Sequence, residues 1–245
     1  MNNDLIYEQP LNEKTRSYLR LEYLADQLNL HLDTDYQHHC FYPLFSLAEL
    51  TDRCDYRTDI LKDIDKQLVI LAKWHALPHV DKSQIQNIID QLNASKAPLQ
   101  TNERIGCRLK QDRFIAALKQ RFGMPGACCN FDLPQLHYWL AKPWQERQLD
   151  LNSWIENFLP ILKPIKLLLE LTRSTAEFRT AEAQQGFFQG NSPQTLSLIR
   201  VQIDHTQDCY PTISGHKNRY AIHFVDFENQ KHTDKLVKFK LATCN

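Results

Sequence analysis

The spacing of apolar residues changes near Gly186, and this change limits the possible folds more than any motif does. Before it, apolar residues recur three and four apart, the repeat of one helix face. Tyr18, Leu21, Ala25 and Leu28 follow that repeat within 12–30, while Glu13, Arg16, Arg20, Tyr23 and Gln27 form a second, more polar stripe. Ile60, Ile64, Leu68, Leu71 and Trp74 continue it through 57–76, where Pro78 ends the run. Asp81-Lys-Ser-Gln84 has the form of a capped helix start, with Ile85, Ile88, Ile89 and Leu92 on one face. Further helices are predicted over 103–122 with a break near Gly106, over 145–158, and from Pro160 through about Arg179. Residues 31–56 show no period and read as irregular.

Beyond Gly186 the period falls to two. Leu196–Ile203 is apolar, with the adjacent Leu198 and Ile199 suggesting a bulge. Tyr220, Ile222 and Phe224 alternate with Arg219, Ala221, His223 and Val225, and Val237, Phe239 and Leu241 alternate with Lys238, Lys240 and Ala242. Such alternation belongs to antiparallel strands with one buried and one wet face. The expected fold class is therefore α+β. A mostly helical domain covers 10–185, and a smaller antiparallel β domain covers 186–245 and is joined by residues 4–9. Residues 128–142, rich in aromatics, are candidates for strands of that same β domain.

Composition narrows the function. The 29 basic residues balance 29 acidic ones, so any electrostatic role rests on local patches. Only six glycines occur in 245 residues, with no GxGxxG or GxxxxGK[ST] loop to cradle a phosphate. The N-terminal segment lacks the basic and apolar regions of a secretion signal, and no run of about 18 apolar residues exists. A soluble chain is expected. Seven cysteines without CxxC spacing read as reduced thiols.

The cysteines Cys128-Cys129 look reactive, but neighbouring side chains on an extended chain point to opposite faces and make a poor chelate. They read as small buried scaffold residues. His38-His39-Cys40 lacks ligand spacing, and Pro78 interrupts His75 and His79, so neither a metal nor a cofactor is expected. No catalytic constellation is expected. Asp59, Asp63 and Asp65 alternate with Lys62 and Lys66 as on any solvated helix face.

The basic stretches carry more information. Six basic residues (Arg104, Arg108, Lys110, Arg113, Lys119, Arg121) stand against two acidic ones between 103 and 121. On a helix from Lys110, residues Lys110, Arg113, Ala117 and Arg121 share a face. Arg16 and Arg20 lie one turn apart beside Tyr23. If the last two strands pair as a hairpin, Arg219, His223, Lys238 and Lys240 become cross-strand neighbours. Gly215-His216-Lys217-Asn218 reads as a turn adding positive charge. Clusters of this kind suit an anionic partner, arginine because its fork grips carboxylates. A nucleic-acid-binding module is an alternative use of the same patches, although RRM, KH and helix-turn-helix signatures are missing. A cysteine-dependent enzyme or redox sensor is a third, resting on Cys128-Cys129.

Three long stretches, YEQPLNEKTRSYLRLEYL at the start, RIG…QDRFIAALKQRF…PGACCNFDLPQLHYWL in the centre and YPTISGHKNRYAIHF near the end, resemble the ZapD cell-division family almost from end to end. The chain departs at Ala127, where a second glycine is expected, and at His223, where arginine is expected. The resemblance implies a non-enzymatic cytoplasmic protein at the mid-cell division ring. Such a protein binds the C-terminal tail of FtsZ, a tubulin-like GTPase, and as a homodimer bundles FtsZ filaments. It implies binding roles for Arg20, Arg113, His137 and Arg219, followed by Arg16, Lys217 and His216, with no nucleic-acid or membrane partner. Tyr18, Tyr23, Tyr138 and Trp139 are candidate apolar anchors for the tail, their ordinary alternative being core packing.

Overall fold

The computed structural model describes residues 4–101 and 103–245. Their fold class is α+β, divided into two compact units, one made of Arg20–Leu168 and the other of the chain up to Leu19 together with Leu169–Asn245.

The helical unit is built from most of α1 (Glu13–Asp33), then α2 (Phe41–Arg53), α3 (Arg57–His75), α4 (Lys82–Ala94), α5 (Lys96–Leu99), α6 (Cys107–Gln111), α7 (Arg113–Arg121), α8 (Pro134–Leu140), α9 (Trp144–Glu156) and the start of α10 (Leu159–Ser174). Leu21 and Leu28 of α1, and Ile60, Ile64 and Leu71 of α3, are buried, as their spacing demands. Trp74 ends that stripe in solvent. Asp81 caps α4 by accepting the Gln84 N–H at 3.0 Å.

α2 occupies a segment that reads as irregular in the sequence. Phe41, Pro43, Leu44, Leu47, Ala48 and Thr51 are buried while Tyr42, Ser46, Glu49 and Arg53 face solvent, and Pro43 sits in the first turn where proline is tolerated. The Phe41 ring meets Phe45, Phe114, Phe122, Trp139 and Trp154 at centroid distances of 5.2–6.1 Å. That aromatic nest is the core of the unit.

The basic run 103–122 also differs from expectation. Besides the left-handed Gly106 ahead of α6, the helix breaks at Asp112, whose backbone is extended. Asp112 Oδ1 accepts the N–H groups of Phe114 and Ile115 at 2.9 and 3.1 Å, and Oδ2 accepts the Trp154 indole N–H at 3.0 Å. Lys110 and Arg113 therefore belong to different helices and do not share a helical face. Residues 128–142 hold turns and α8 rather than strands, because Pro134 starts a helix whose Leu136 and Trp139 point into the core.

Arg147 of α9 is 6% exposed. Its guanidinium makes a bidentate pair with Asp35, donates through Nε to the Lys142 carbonyl at 3.1 Å, and lies 5.5 and 5.4 Å from the centroids of Trp139 and Trp144. The hydrogen bond from Arg147 lowers the Asp35 pKa against the opposing effect of burial.

The β unit holds β1 (Asp4–Pro10), β2 (Arg179–Ala183), β3 (Phe187–Asn191), β4 (Leu198–Asp204), β5 (Cys209–His216), β6 (Arg219–Asp226) and β7 (Val237–Cys244). Two antiparallel sheets, ordered β1-β4-β7-β2 and β3-β6-β5, enclose Ile199, Val201, Ile203, Ile222, Phe224, Val237 and Phe239. The ladders of β4 with both neighbours run unbroken, so no bulge separates Leu198 from Ile199. Both are buried because the second face of that sheet is also covered. There Arg173 of α10 pairs with Glu8 at 2.9 and 2.8 Å, and Arg200 reaches the same carboxylate at 2.9 Å.

β6 and β7 do not form a hairpin. They lie in different sheets because their apolar residues face one another across the core, and 227–236 carries the chain between them. Arg219 and His223 are thus not cross-strand neighbours of Lys238 and Lys240. Helix α10 stops at Ser174, short of Arg179, where the hydroxyls of Ser174 and Thr175 bond the carbonyls of Leu171 and Thr172. The β2–β3 turn needs its glycine. Gln185 and Gly186 take φ of 51° and 66°, and a Cβ on Gly186 would lie 2.4 Å from the Thr233 carbonyl oxygen.

Candidate partner-binding surface

Many cations of the helical unit are engaged within it. Arg57 grips Asp55 and donates to the carbonyls of Thr101 and Glu103, Arg104 bonds the Asp52 carbonyl, Arg108 pairs with Glu103, and Lys110 meets Asp52 at 2.7 Å. Arg121 donates to the Asp132 carbonyl at 3.1 Å. Among the described residues Arg20 and Arg113 are the exposed arginines of this unit with neither a side-chain hydrogen bond nor an ion pair, and His137 is exposed and unpaired as well, a state shared by lysines such as Lys62, Lys66 and Lys73 of α3.

Each is presented by a firm element. Arg20 and Tyr23 project from the wet stripe of α1 over a cleft of about 260 Å³. Leu24 and Leu50 supply its apolar lining, and Ser46, Glu49 and Arg53 of α2 complete it. Arg53 is paired with Glu49. It adds a second cation to that rim, one that reading 31–56 as irregular leaves out. Arg113 opens α7 directly behind the Asp112 cap. His137 lies on α8 beside Tyr138, which is 75% exposed. The helix is held by buried Leu136 and Trp139, whose indole donates to Asp150 at 2.9 Å.

Of the four aromatic candidates, Tyr18 and Trp139 are buried and unavailable, whereas Tyr23 and Tyr138 face solvent. Arg16, in the β unit, is half-buried and its Nε donates to Glu13 at 3.1 Å. Its charge is already engaged.

In the β unit the remaining candidate cations come from one hairpin. His216 pairs directly with Arg219 across β5 and β6, and the turn between them holds Lys217 at a φ of 56°. All three side chains are exposed. The two units thus present their candidate residues separately: Arg20 with Arg53 at one cleft, Arg113 and His137 on their own helices, and His216, Lys217 and Arg219 together on the hairpin.

Where the pKa of a thiol departs from its usual value, it is raised. Cys128 and Cys129 are half-buried rather than enclosed, and burial followed by the neighbouring Cys129 pushes the Cys128 pKa up. Cys129 Sγ lies 3.2 Å from Asp132 Oδ2. Burial drives Cys40 up to about 12. A reactive thiolate requires the opposite shift. His38 and His39 stack at 4.6 Å, but no group of three His, Cys, Asp or Glu among the described residues has the geometry to hold a metal. No described helix is long and apolar enough to cross a membrane.

The fold and these surfaces define an α+β protein that presents cationic side chains from separate helices and from one β hairpin. Sequence comparison gives the group more closely. The family model for ZapD, described as a cell division protein, matches residues 19–223. The chain is 64% identical over 241 residues to the cell division protein ZapD of Shewanella baltica (strain OS185), covering 98% of this chain and 99% of the relative. The ZapD proteins of Shewanella oneidensis and Vibrio atlanticus are 62% and 38% identical, each over 98% of this chain and over 99% and 98% of their own lengths. This chain belongs to the ZapD family of cell division proteins.

Proposed function

We propose that this chain is a non-enzymatic adaptor of the cytoplasmic division ring, binding the C-terminal tail of FtsZ and, as a homodimer, cross-linking FtsZ filaments at mid-cell. The observation that supports this reading most is that the exposed arginines Arg20, Arg113 and Arg219, with no ion pair among the described residues, are held on ordered elements while arginines such as Arg57, Arg108 and Arg147 are engaged. An acidic tail supplies the missing carboxylates, and arginine forks hold them bidentately. A mobile tail loses entropy when it docks, so charge needs an apolar companion. Tyr23 above the Leu24–Leu50 cleft and Tyr138 beside His137 are suited to that role. A dimer with two such sites bridges two filaments, and many tails on each polymer let weak single contacts give strong bundling.

The test is fluorescence anisotropy of a labelled FtsZ tail peptide with Arg20→Asp, Arg113→Asp and Arg219→Asp, each checked for fold by circular dichroism. Every reversal is expected to weaken binding about tenfold or more, by replacing a charge-assisted contact with repulsion. Unchanged affinity in all three folded variants would sink the proposal. Filament pelleting with the same variants reads the bundling step.

A further inference from the structure

The chain turns from α1 into α2 through a corner, residues 31–40, that gathers three imidazoles. His31 lies in the last turn of α1, and its ring meets Tyr36 edge-on at a centroid distance of 5.2 Å. Its Nδ1 is buried and has no hydrogen-bond partner among the described residues. His38 and His39 stack at 4.6 Å with 24° between their planes. His38 also meets Phe122 edge-on at 6.3 Å, and His39 lies 6.0 Å from the Tyr42 ring of α2. The backbone of the corner is strained. Gln37 takes a φ of 55°, and its N–H donates to Asp35 Oδ1 at 2.9 Å.

These rings suit the corner only while neutral. A neutral imidazole has one donor and one acceptor nitrogen, whereas the charged ring has two donors. At His31 the proton would create a charged, buried N–H with no acceptor, which is far more costly than an unmet neutral acceptor. At His38 the added charge lies against the His39 ring. Burial, followed by the charge of His39, accordingly lowers the pKa values of both His31 and His38. The other titratable and charged groups about the corner are few. α1 ends in exposed Asp33, Asp35 is held by Arg147 of α9, and Cys40 is buried. α2 contributes Tyr42, α7 contributes Arg121, bound to the Asp132 carbonyl, and α8, packed against 37–40, carries His137 and Tyr138. Among the described residues none of these groups makes a hydrogen bond or ion pair with the His31 or His38 side chain.

We propose that this corner is an acid-triggered hinge, in which protons taken up by His31 and His38 free residues 34–40 and loosen α1 from α2. The cleft under Arg20 and Tyr23 is walled by those two helices, so it loses its fixed shape when the corner opens. The response belongs to the fold and needs no partner. Its sign follows from the fold's preference for the neutral rings. A histidine whose folded pKa lies below its unfolded one leaves stability intact above the unfolded value, near pH 6.5, and lowers it progressively as pH falls through that value. Glu8 takes up its proton in a lower interval, because its pKa is held below the usual glutamate value.

The experiment unfolds the full chain in urea at about pH 7.5 and about pH 5.5, with tryptophan fluorescence reporting the helical unit. The midpoint is expected to fall by roughly 0.5–1 M on acidification. His31→Phe combined with His38→Gln, which leaves nothing to protonate at either position, should cut that fall to less than half. In the wild type, amide protection factors at His39 and Phe41, whose N–H groups bond within the corner, should drop about tenfold over the same interval. An equal fall in the wild type and the folded double variant overturns the proposal. If the double variant does not fold, NMR titration of the wild-type imidazole C–H signals decides. Both rings titrating below about pH 6.5 supports the hinge, and either one titrating at or above it overturns it.

Discussion

In the helical unit a buried arginine is flanked by two tryptophans and locked onto Asp35, whereas in the β unit the arginine of the 216–219 hairpin stands in solvent beside a histidine and a lysine. The same side chain performs two jobs, and its surroundings decide which. Arg147 has a carboxylate, a carbonyl and two ring faces, so it is part of the architecture. Among the described residues the Arg219 side chain has no such partner, and strand pairing sets it directly opposite His216. The candidate cations of the helical unit come from α1, α7 and α8, far apart in sequence. Those of the β unit lie within the four consecutive residues 216–219.

The sharpest way to break this contrast is Arg147→Ala. It leaves the Asp35 charge without its partner and opens a gap between the tryptophans, and should lower stability by about 3 kcal/mol. All four tryptophans lie in the helical unit, so their fluorescence during urea unfolding reports that unit. Retained amide protection in β4 and β7 alongside a shifted tryptophan transition would keep the two units distinct. Loss of both together would show that they unfold as one.

Glu8→Gln probes the corresponding buried charge of the β unit, with a loss of about 2 kcal/mol at neutral pH. Burial opposes ionisation of Glu8, but the hydrogen bonds and charges of Arg173 and Arg200 prevail and hold its pKa below the usual glutamate value. A depressed folded-state pKa gives stability that is present above the unfolded-state pKa and lost as pH falls through the folded one. The wild type should therefore lose stability progressively below about pH 4.5, and the glutamine variant should lose less over that interval. Equal acid sensitivity in both, measured by urea titration at several pH values, would remove Glu8 from the account.

The smallest effect is expected at Asp112→Ala, which removes the cap of α7 and leaves the Trp154 N–H without its acceptor, at a cost of about 1–2 kcal/mol. Because the cap fixes the start of the helix that carries Arg113, peptide binding should weaken more than this loss of stability alone accounts for. Asp112→Asn, which keeps an oxygen for the cap, should recover most of both.

Much of the fold was legible because burial and periodicity agree. Leu21 and Leu28, Ile60 and Ile64, and the alternation Tyr220-Ile222-Phe224 each mark one wet and one dry side. α2 does carry a wet stripe of Tyr42, Ser46, Glu49 and Arg53, but it is short, holds Pro43 and includes an aromatic in that stripe, so its period was missed and Arg53 went unseen with it. The break near Gly106 was legible, and the second break at Asp112 was not, because it depends on a carboxylate that caps one helix and holds Trp154 of another. The supposed hairpin of β6 and β7 failed for a related reason. Alternation tells which side of a strand is buried, not which neighbour it pairs with, and two strands facing across a core alternate just as two adjacent ones do. The hairpin cations were readable from sequence since local chain geometry brings them together.

The pairing of β1 with β4 also sets an order of events during synthesis. Tyr7 finds its partner Val201 only after about 190 further residues have been made, which at about 5–20 residues per second is roughly 10–40 s of translation. The helical unit is complete once Leu168 is made, before Leu198, the first partner of that strand, exists. An early strand left waiting is open to wrong pairing, and Asp4 and Glu8 give it charges that discourage association until Gln202 and Arg200 arrive to meet them.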